Sequence, residues 1–246
     1  MKHLSKSAVA LAILGIGAVL AFPALAIDKV YSPNVVKGEV ELEYAGSQGF
    51  SRDPNKNNAQ SHEFEFEYTP TDHIKLELEG SYQRAPGEAL KLDAREIGGI
   101  YQPFETGEKW ADVSLKLMYV KAAQRGDSDA IEAKLLVEKQ VGHFLNRANI
   151  GFEQPIGAHG GQADRVILWN TRYLLNEHFN PGFEVQSDFG TASEGKSFNT
   201  QQHYAGPGVY GTIVPGLKYE AVYYFGLSKP TARNAARVLL EYEKYF

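Results

Sequence analysis

The stretch His62-Glu63-Phe64-Glu65-Phe66-Glu67-Tyr68, then Thr69-Pro70-Thr71-Asp72, then Ile74-Lys75-Leu76-Glu77-Leu78-Glu79, alternates almost strictly between apolar and charged side chains. A period of two puts every ring and aliphatic chain on one face of a strand and every charge on the other. Such a hairpin needs an apolar environment on one side and water or counter-charges on the other. A soluble sheet would lay its apolar face on a core, whereas a membrane barrel turns it toward lipid.

Working outward, the alternation recurs. Val40, Leu42 and Tyr44 mark a first strand, and a fourth is expected near Glu96 to Phe104. Further runs lie at Val113–Tyr119, Ile131–Val137, Ala148–Phe152, Ile167–Tyr173, Phe183–Phe189, His203–Ile213, Tyr219–Phe225 and Val238–Phe246. With the hairpin these make twelve. Connections after even strands read as tight turns: Thr69–Asp72, Glu105–Lys109, Gln140–His143, Asn176–Pro181 and Val214–Gly216. Those after odd strands are mostly longer and polar, as in Ser51–Gln60, Ala85–Asp93 and Thr191–Asn199. Loops sorted by parity, on strands of ~10 residues, are the layout of an outer-membrane barrel. The expected fold is an all-β, twelve-stranded antiparallel transmembrane barrel, an up-and-down meander over residues 38–246 with both ends toward the periplasm.

Residues 1–26 have the three parts of a secretory signal peptide: Lys2 and Lys6, the apolar run Ala8–Ala21, and small residues at Ala24-Leu25-Ala26. Residues 27–37 read as a periplasmic linker. Removing the leader takes Lys2 and Lys6 with it and leaves 23 basic against 30 acidic side chains. No basic patch suggests nucleic acid as a partner. Cysteine is absent, so an exported chain of this size must be held by strand pairing rather than disulfides. Beyond the leader no apolar run is long enough for a membrane helix.

Aromatics gather near strand ends, among them Tyr44, Tyr68, Tyr82, Phe104, Trp110, Tyr119, Phe144, Tyr173, Phe179 and Phe189, where interfacial girdles would place them. The chain ends on Phe246, on one face with Tyr242 and Leu240. This resembles the C-terminal signal that outer-membrane proteins present to their assembly machinery, although Lys244 departs from the apolar residue preferred there. His203-Tyr204-Ala205-Gly206-Pro207-Gly208-Val209-Tyr210 is followed by Phe225-Gly226-Leu227-Ser228 and Arg237-Val238-Leu239-Leu240-Glu241-Tyr242. Together they resemble the outer-membrane transporters grouped with meta-pathway phenol-degradation proteins and, more distantly, copper-resistance B barrels. The resemblance covers about 45 residues and implies a twelve-stranded barrel with a transport role. Gly206-Pro207-Gly208 also reads as a bulge or bend at a barrel corner.

The alternation assigns a lumen-lining set: Glu39, Glu41, Glu43, Glu63, Glu65, Glu67, Lys75, Glu77, Lys116, Lys134, Arg147, Arg172 and Lys218. The six glutamates of the first two strands would form one acidic wall, and carboxylates so close repel unless cations or water intervene. Two readings stay open. Acidic and basic ladders pair across a narrow lumen, or the acidic wall faces water and favours cations in a pore. No catalytic residues are assigned, because a hydrolase would need Ser, His and a carboxylate or amide to converge. His62, His73, His143, His159, His178 and His203 are scattered, without an evident serine partner. Neither metal nor cofactor is expected: the histidines lack ligand spacing, and Met118 is the only methionine beyond the leader. The expected function is a narrow outer-membrane channel or transporter for small solutes, cationic or aromatic among them. Its partners are membrane lipid, the assembly machinery through Phe246, and a small solute. The alternative is a sealed barrel that presents its outer loops.

Overall fold

The computed structural model describes residues 27–157, 161–191 and 197–246. The expected leader, residues 1–26, and His159 lie outside the described residues. Twelve strands follow one another: β1 (Glu39–Phe50), β2 (Gln60–Tyr68), β3 (Ile74–Arg84), β4 (Lys91–Tyr101), β5 (Asp112–Ala122), β6 (Asp129–Val141), β7 (Phe144–Ile156), β8 (Asp164–Tyr173), β9 (Asn180–Asp188), β10 (Gln202–Val214), β11 (Leu217–Gly226) and β12 (Asn234–Tyr245). Each pairs antiparallel with its sequence neighbours, and β1 pairs with β12 from Glu39↔Tyr245 to Phe50↔Asn234, which closes the barrel. Closure leaves no open sheet edge, the condition for strands to sit in hydrocarbon. No helix among the described residues is long and apolar enough to cross a membrane.

The faces are inverted relative to a soluble protein. Leu42, Phe64, Phe66, Leu76, Leu115, Leu117, Ile150, Phe152 and Tyr223 lie exposed on the outer surface, with Val40 half-buried beside them. Glu65, Glu67, Glu77, Lys116, Lys134 and Arg237 are buried inside. Leu42 is 55% exposed while Glu77 is 1% exposed. Water would not tolerate that arrangement in a sandwich, whereas a lipid-facing belt requires it.

At the end of the barrel that carries the first residue of β1, β6–β7 and β10–β11 are joined by two-residue turns. Gly142 supplies the positive φ of +59° that the first of them needs. The β4–β5 connection departs from its expected tight turn. β4 stops at Tyr101, and ten residues, 102–111, join it to β5. Gln102 donates its backbone N–H to the His73 carbonyl (2.9 Å) and turns its side chain inward, where it is buried. The next residue, Pro103, has no N–H with which to carry the ladder further.

Register is kept through Gly206-Pro207-Gly208, so no residue is inserted there. Pairing with β11 simply skips Gly206 and Pro207, since proline has no N–H to give. The bulges lie elsewhere, at Ile213 on β10 and at Asp93 on β4, opposite Ser81 and Tyr82. Gly206 is constrained by approach: a Cβ there would run into the Tyr223 carbonyl oxygen. The largest correction concerns residues 27–36. They are no periplasmic linker. Ile27, Lys29, Val30, Tyr31 and Val35 are buried inside the barrel.

Two substitutions test this packing. Gly206→Val is expected to lower barrel stability by ~1–3 kcal/mol in urea titrations in detergent or lipid. Gly80→Ala, where a Cβ meets nothing within 4 Å, is expected to leave both the transition and heat-modifiable gel mobility unchanged.

Candidate functional site

The register of the first four strands sets carboxylates opposite one another. Glu43 faces Glu65, Glu65 faces Glu79 and Glu79 faces Glu96; one row away, Glu41 faces Glu67 and Glu67 faces Glu77. Like charges directly opposite destabilise a sheet, and this wall folds only if cations reach it. Two come from the barrel itself. Lys75 contacts Glu41 at 2.6 Å, Glu67 at 2.7 Å and Glu39 at 3.6 Å. Lys116 contacts Glu77 at 2.6 Å and Glu65 at 3.5 Å.

The third cation is Lys29, which belongs to no strand. Its ammonium donates to Glu43 at 2.6 Å and to Glu65, with Glu67 at 3.8 Å. Two residues on, the Tyr31 ring stands between Lys116, Lys29 and Lys134, whose ammonium groups lie 3.8, 4.6 and 4.8 Å from its centroid. Cation–π attraction toward such a ring strengthens when water is excluded. Lys134 itself pairs with Asp28 at 2.7 Å and Glu132 at 2.8 Å.

Residues 27–36 enter from the rim where Gly38 donates to the Thr69 carbonyl (2.9 Å) and Phe246 donates to the Gly38 carbonyl (3.0 Å). An extended chain in a lumen carries backbone donors and acceptors that must be satisfied. Amide side chains of the wall do this, because each offers both a donor and an acceptor. Gln186 accepts from Asp28 N–H (3.0 Å) and donates to its carbonyl (2.6 Å). Asn149 does the same for Tyr31, at 2.7 and 3.1 Å. Gln102 accepts from Val35 N–H (2.8 Å), Ser114 donates to the Pro33 carbonyl (2.5 Å), and Asn34 donates to Glu138 (2.9 Å). Ile27 ends in an apolar cluster with Ala59, Tyr204 and Tyr224.

A second network lies on the far wall. Arg237, 1% exposed, contacts Glu184 at 3.0 Å and Glu220 at 3.1 Å. Arg172 pairs with Glu220 at 2.5 Å and stacks 3.9 Å over the Tyr210 ring. Tyr210 (3.2 Å) and Tyr224 both donate to Glu184. Arg147 pairs with Glu138, and Lys218 pairs with Glu241 (2.9 Å) and Glu243.

The thirteen residues assigned from sequence all lie on inward-facing positions, but they form several local groups rather than two ladders facing each other across the lumen. Glu63 joins no ion pair among the described residues; its neighbour is Ser61 Oγ at 3.5 Å. Among the described residues a cavity lies on each side of Tyr31. The outer, about 310 Å3, is lined by Glu63, Glu79, Asp93, Glu96, Glu132 and Glu153, with Lys134 the basic residue on its wall. The inner, about 480 Å3, lies between Glu39, Glu41, Glu43 and Glu67 on one side and Arg147 and Arg172 on the other. Glu65, Glu67 and Glu77 place carboxylate oxygens within 4.8 Å of one another. Lys29, Lys75 and Lys116 occupy the places beside them that a metal ion would take.

Sequence reasoning missed Asp28, Lys29, Tyr31, Asn149, Glu184 and Gln186. Asn149 and Gln186 were readable as amides on inward positions, a costly choice unless something there uses them. One histidine also differs from expectation. His203 Nδ1 lies 2.9 Å from Ser187 Oγ, its partner across β9–β10, and its Nε2 faces Gln201 Oε1 at 3.3 Å. Phe198 stacks on the imidazole at 4.1 Å, and the ring is buried. Ser187 itself is half-buried and lines the outer of the two cavities.

No known protein family matches the chain, and no curated protein is similar to it in sequence. Solved structures are similar in fold. A KdgM porin superposes with a TM-score of 0.56 at 9% identity, covering 82% of this chain and 98% of the porin. A NanC porin gives 0.53 at 8% identity, covering 83% and 99%. The fold is that of an outer-membrane porin-type barrel.

Lys116→Met should leave Glu77 and Glu65 without their shared cation and cost ~3–5 kcal/mol, the penalty of breaking a buried pair from one side. Lys121→Met, at an exposed pair with Asp129, should leave the urea midpoint in place.

Proposed function

We propose that this protein is a Gram-negative outer-membrane passage for small solutes that favours cations. Both chain ends face the periplasm, and Phe246 at the β1–β12 seam is read by the assembly machinery. The observation that carries this reading is the outer cavity, whose carboxylates far outnumber its cations. A low-dielectric funnel lined by one sign of charge concentrates counter-ions, and rings of acidic side chains select cations. The inner cavity is lined by charges of both signs, Glu39, Glu41 and Glu67 beside Lys75 and Glu220 beside Arg172. Aromatic solutes, the class implied by the resemblance of residues 203–246 to phenol-degradation transporters, would meet Tyr31 between the cavities. That the KdgM and NanC neighbours are porins supports the reading. The second reading, a sealed barrel presenting its outer loops, is favoured by the chain segment that separates the two cavities.

The carboxylates to change are Glu63, Glu79 and Glu96, since Glu41 and Glu65 are paired with Lys75 and Lys29. In planar bilayers under a salt gradient, the protein is expected to show a cation-selective reversal potential. The triple Glu→Gln variant should move it toward zero without loss of the folded band on gels. Anion selectivity, or a reversal potential indifferent to the three substitutions, would contradict the proposal.

A further inference from the structure

We propose that the lumen contains a binding site for an extended peptide carrying an ammonium two residues before an aromatic ring, and that residues 27–36 occupy it as a displaceable plug. This rests on the reading of the barrel as a passage, and it adds what closes it.

Four observations carry it. The segment does not join the sheet, since β1 already pairs with β2 and β12 on both edges; its contacts are side chains that point at it. Asn149 and Gln186 each give and take one hydrogen bond with a single residue of the segment, as a neighbouring strand would. Recognition of an extended peptide elsewhere works in this way, with main-chain bonds for affinity and pockets for specificity. Lys29 fits the carboxylate cage of Glu43, Glu65 and Glu67. Tyr31 fills the space between the two cavities and lines both, so a solute crossing the barrel meets its ring.

The tether is short. Gly38 is held at the rim, and ten residues can reach about 33 Å when extended, enough to run most of the depth of a bilayer. With the leader cut after Ala26, Ile27 becomes the free end of the plug, buried beside the outer cavity. A segment held at one end and otherwise only by side-chain contacts, outside the ladder, can leave without breaking a strand pair.

The test is reconstitution of three proteins, each verified as folded by heat-modifiable mobility: the mature chain, a variant lacking residues 27–36, and Lys29→Met. The truncated barrel is expected to conduct at least about tenfold more than the mature chain. A synthetic peptide spanning residues 27–37, added on either side, should block it, and the same peptide with Lys29→Met should block at least about tenfold more weakly, ~1.4 kcal/mol of binding. Equal conductance of truncated and mature barrels would overturn the plug and leave the passage intact. Silence of both would overturn the passage reading and the plug's closing role together. If the truncated chain does not fold, Lys29→Met in the full chain decides: raised conductance supports the plug, and unchanged conductance overturns it.

Discussion

Carboxylates stacked across neighbouring strands are the constraint that the rest of the lumen answers. β1, β2 and β3 bring Glu41, Glu67 and Glu77, and Glu43, Glu65 and Glu79, into register on one inward face. Backbone pairing fixes that register, and a one-residue slip would carry the whole charged set into lipid. The wall cannot relieve its repulsion by moving, so it relieves it by recruiting ammonium groups. Lys75 and Lys116 reach it from β3 and β5, and Lys29 reaches it from outside the sheet. The position of residues 27–36 follows from the charge pattern of β1 and β2.

The outer surface obeys a simpler rule. Hydrocarbon offers no hydrogen bonds, so every strand edge must be paired, and the twelve-residue seam between β1 and β12 completes the circuit. Once the sheet is closed, the apolar half of each alternation faces lipid and the polar half has only the lumen. A buried interior made of ion pairs is poor evidence of net stabilisation, because desolvation offsets much of the attraction. Its consequence is geometric: Arg237 between Glu184 and Glu220, and Arg172 over Tyr210, leave few positions for those side chains.

Period-two alternation made strand number, face assignment and barrel closure legible in the sequence, because it reports directly on which side of a sheet meets lipid. It located β1, β2 and β3 well, and it placed Glu39 through Glu67 inside. It could not say which charges meet. Pairings such as Lys116 with Glu65, three strands apart, depend on barrel curvature and not on spacing along the chain. The plug was illegible for a different reason. Residues 27–36 make no ladder and show no sustained period, and their partners are single side chains scattered around the barrel, among them Glu43, Gln102, Ser114, Glu138, Asn149 and Gln186. β4 ends short of Phe104 because Pro103 interrupts the ladder. Ser187 and His203 are sixteen positions apart and meet only through the β9–β10 register.

Lys29 is bound by the acidic wall, and the wall depends on it in return. A double-mutant cycle on Lys29→Met and Glu65→Gln, read from urea unfolding of the reconstituted barrel, measures that dependence most directly. The two changes together are expected to cost less than the sum of each alone, with a coupling of about 1–3 kcal/mol. Strict additivity of the two changes would contradict it.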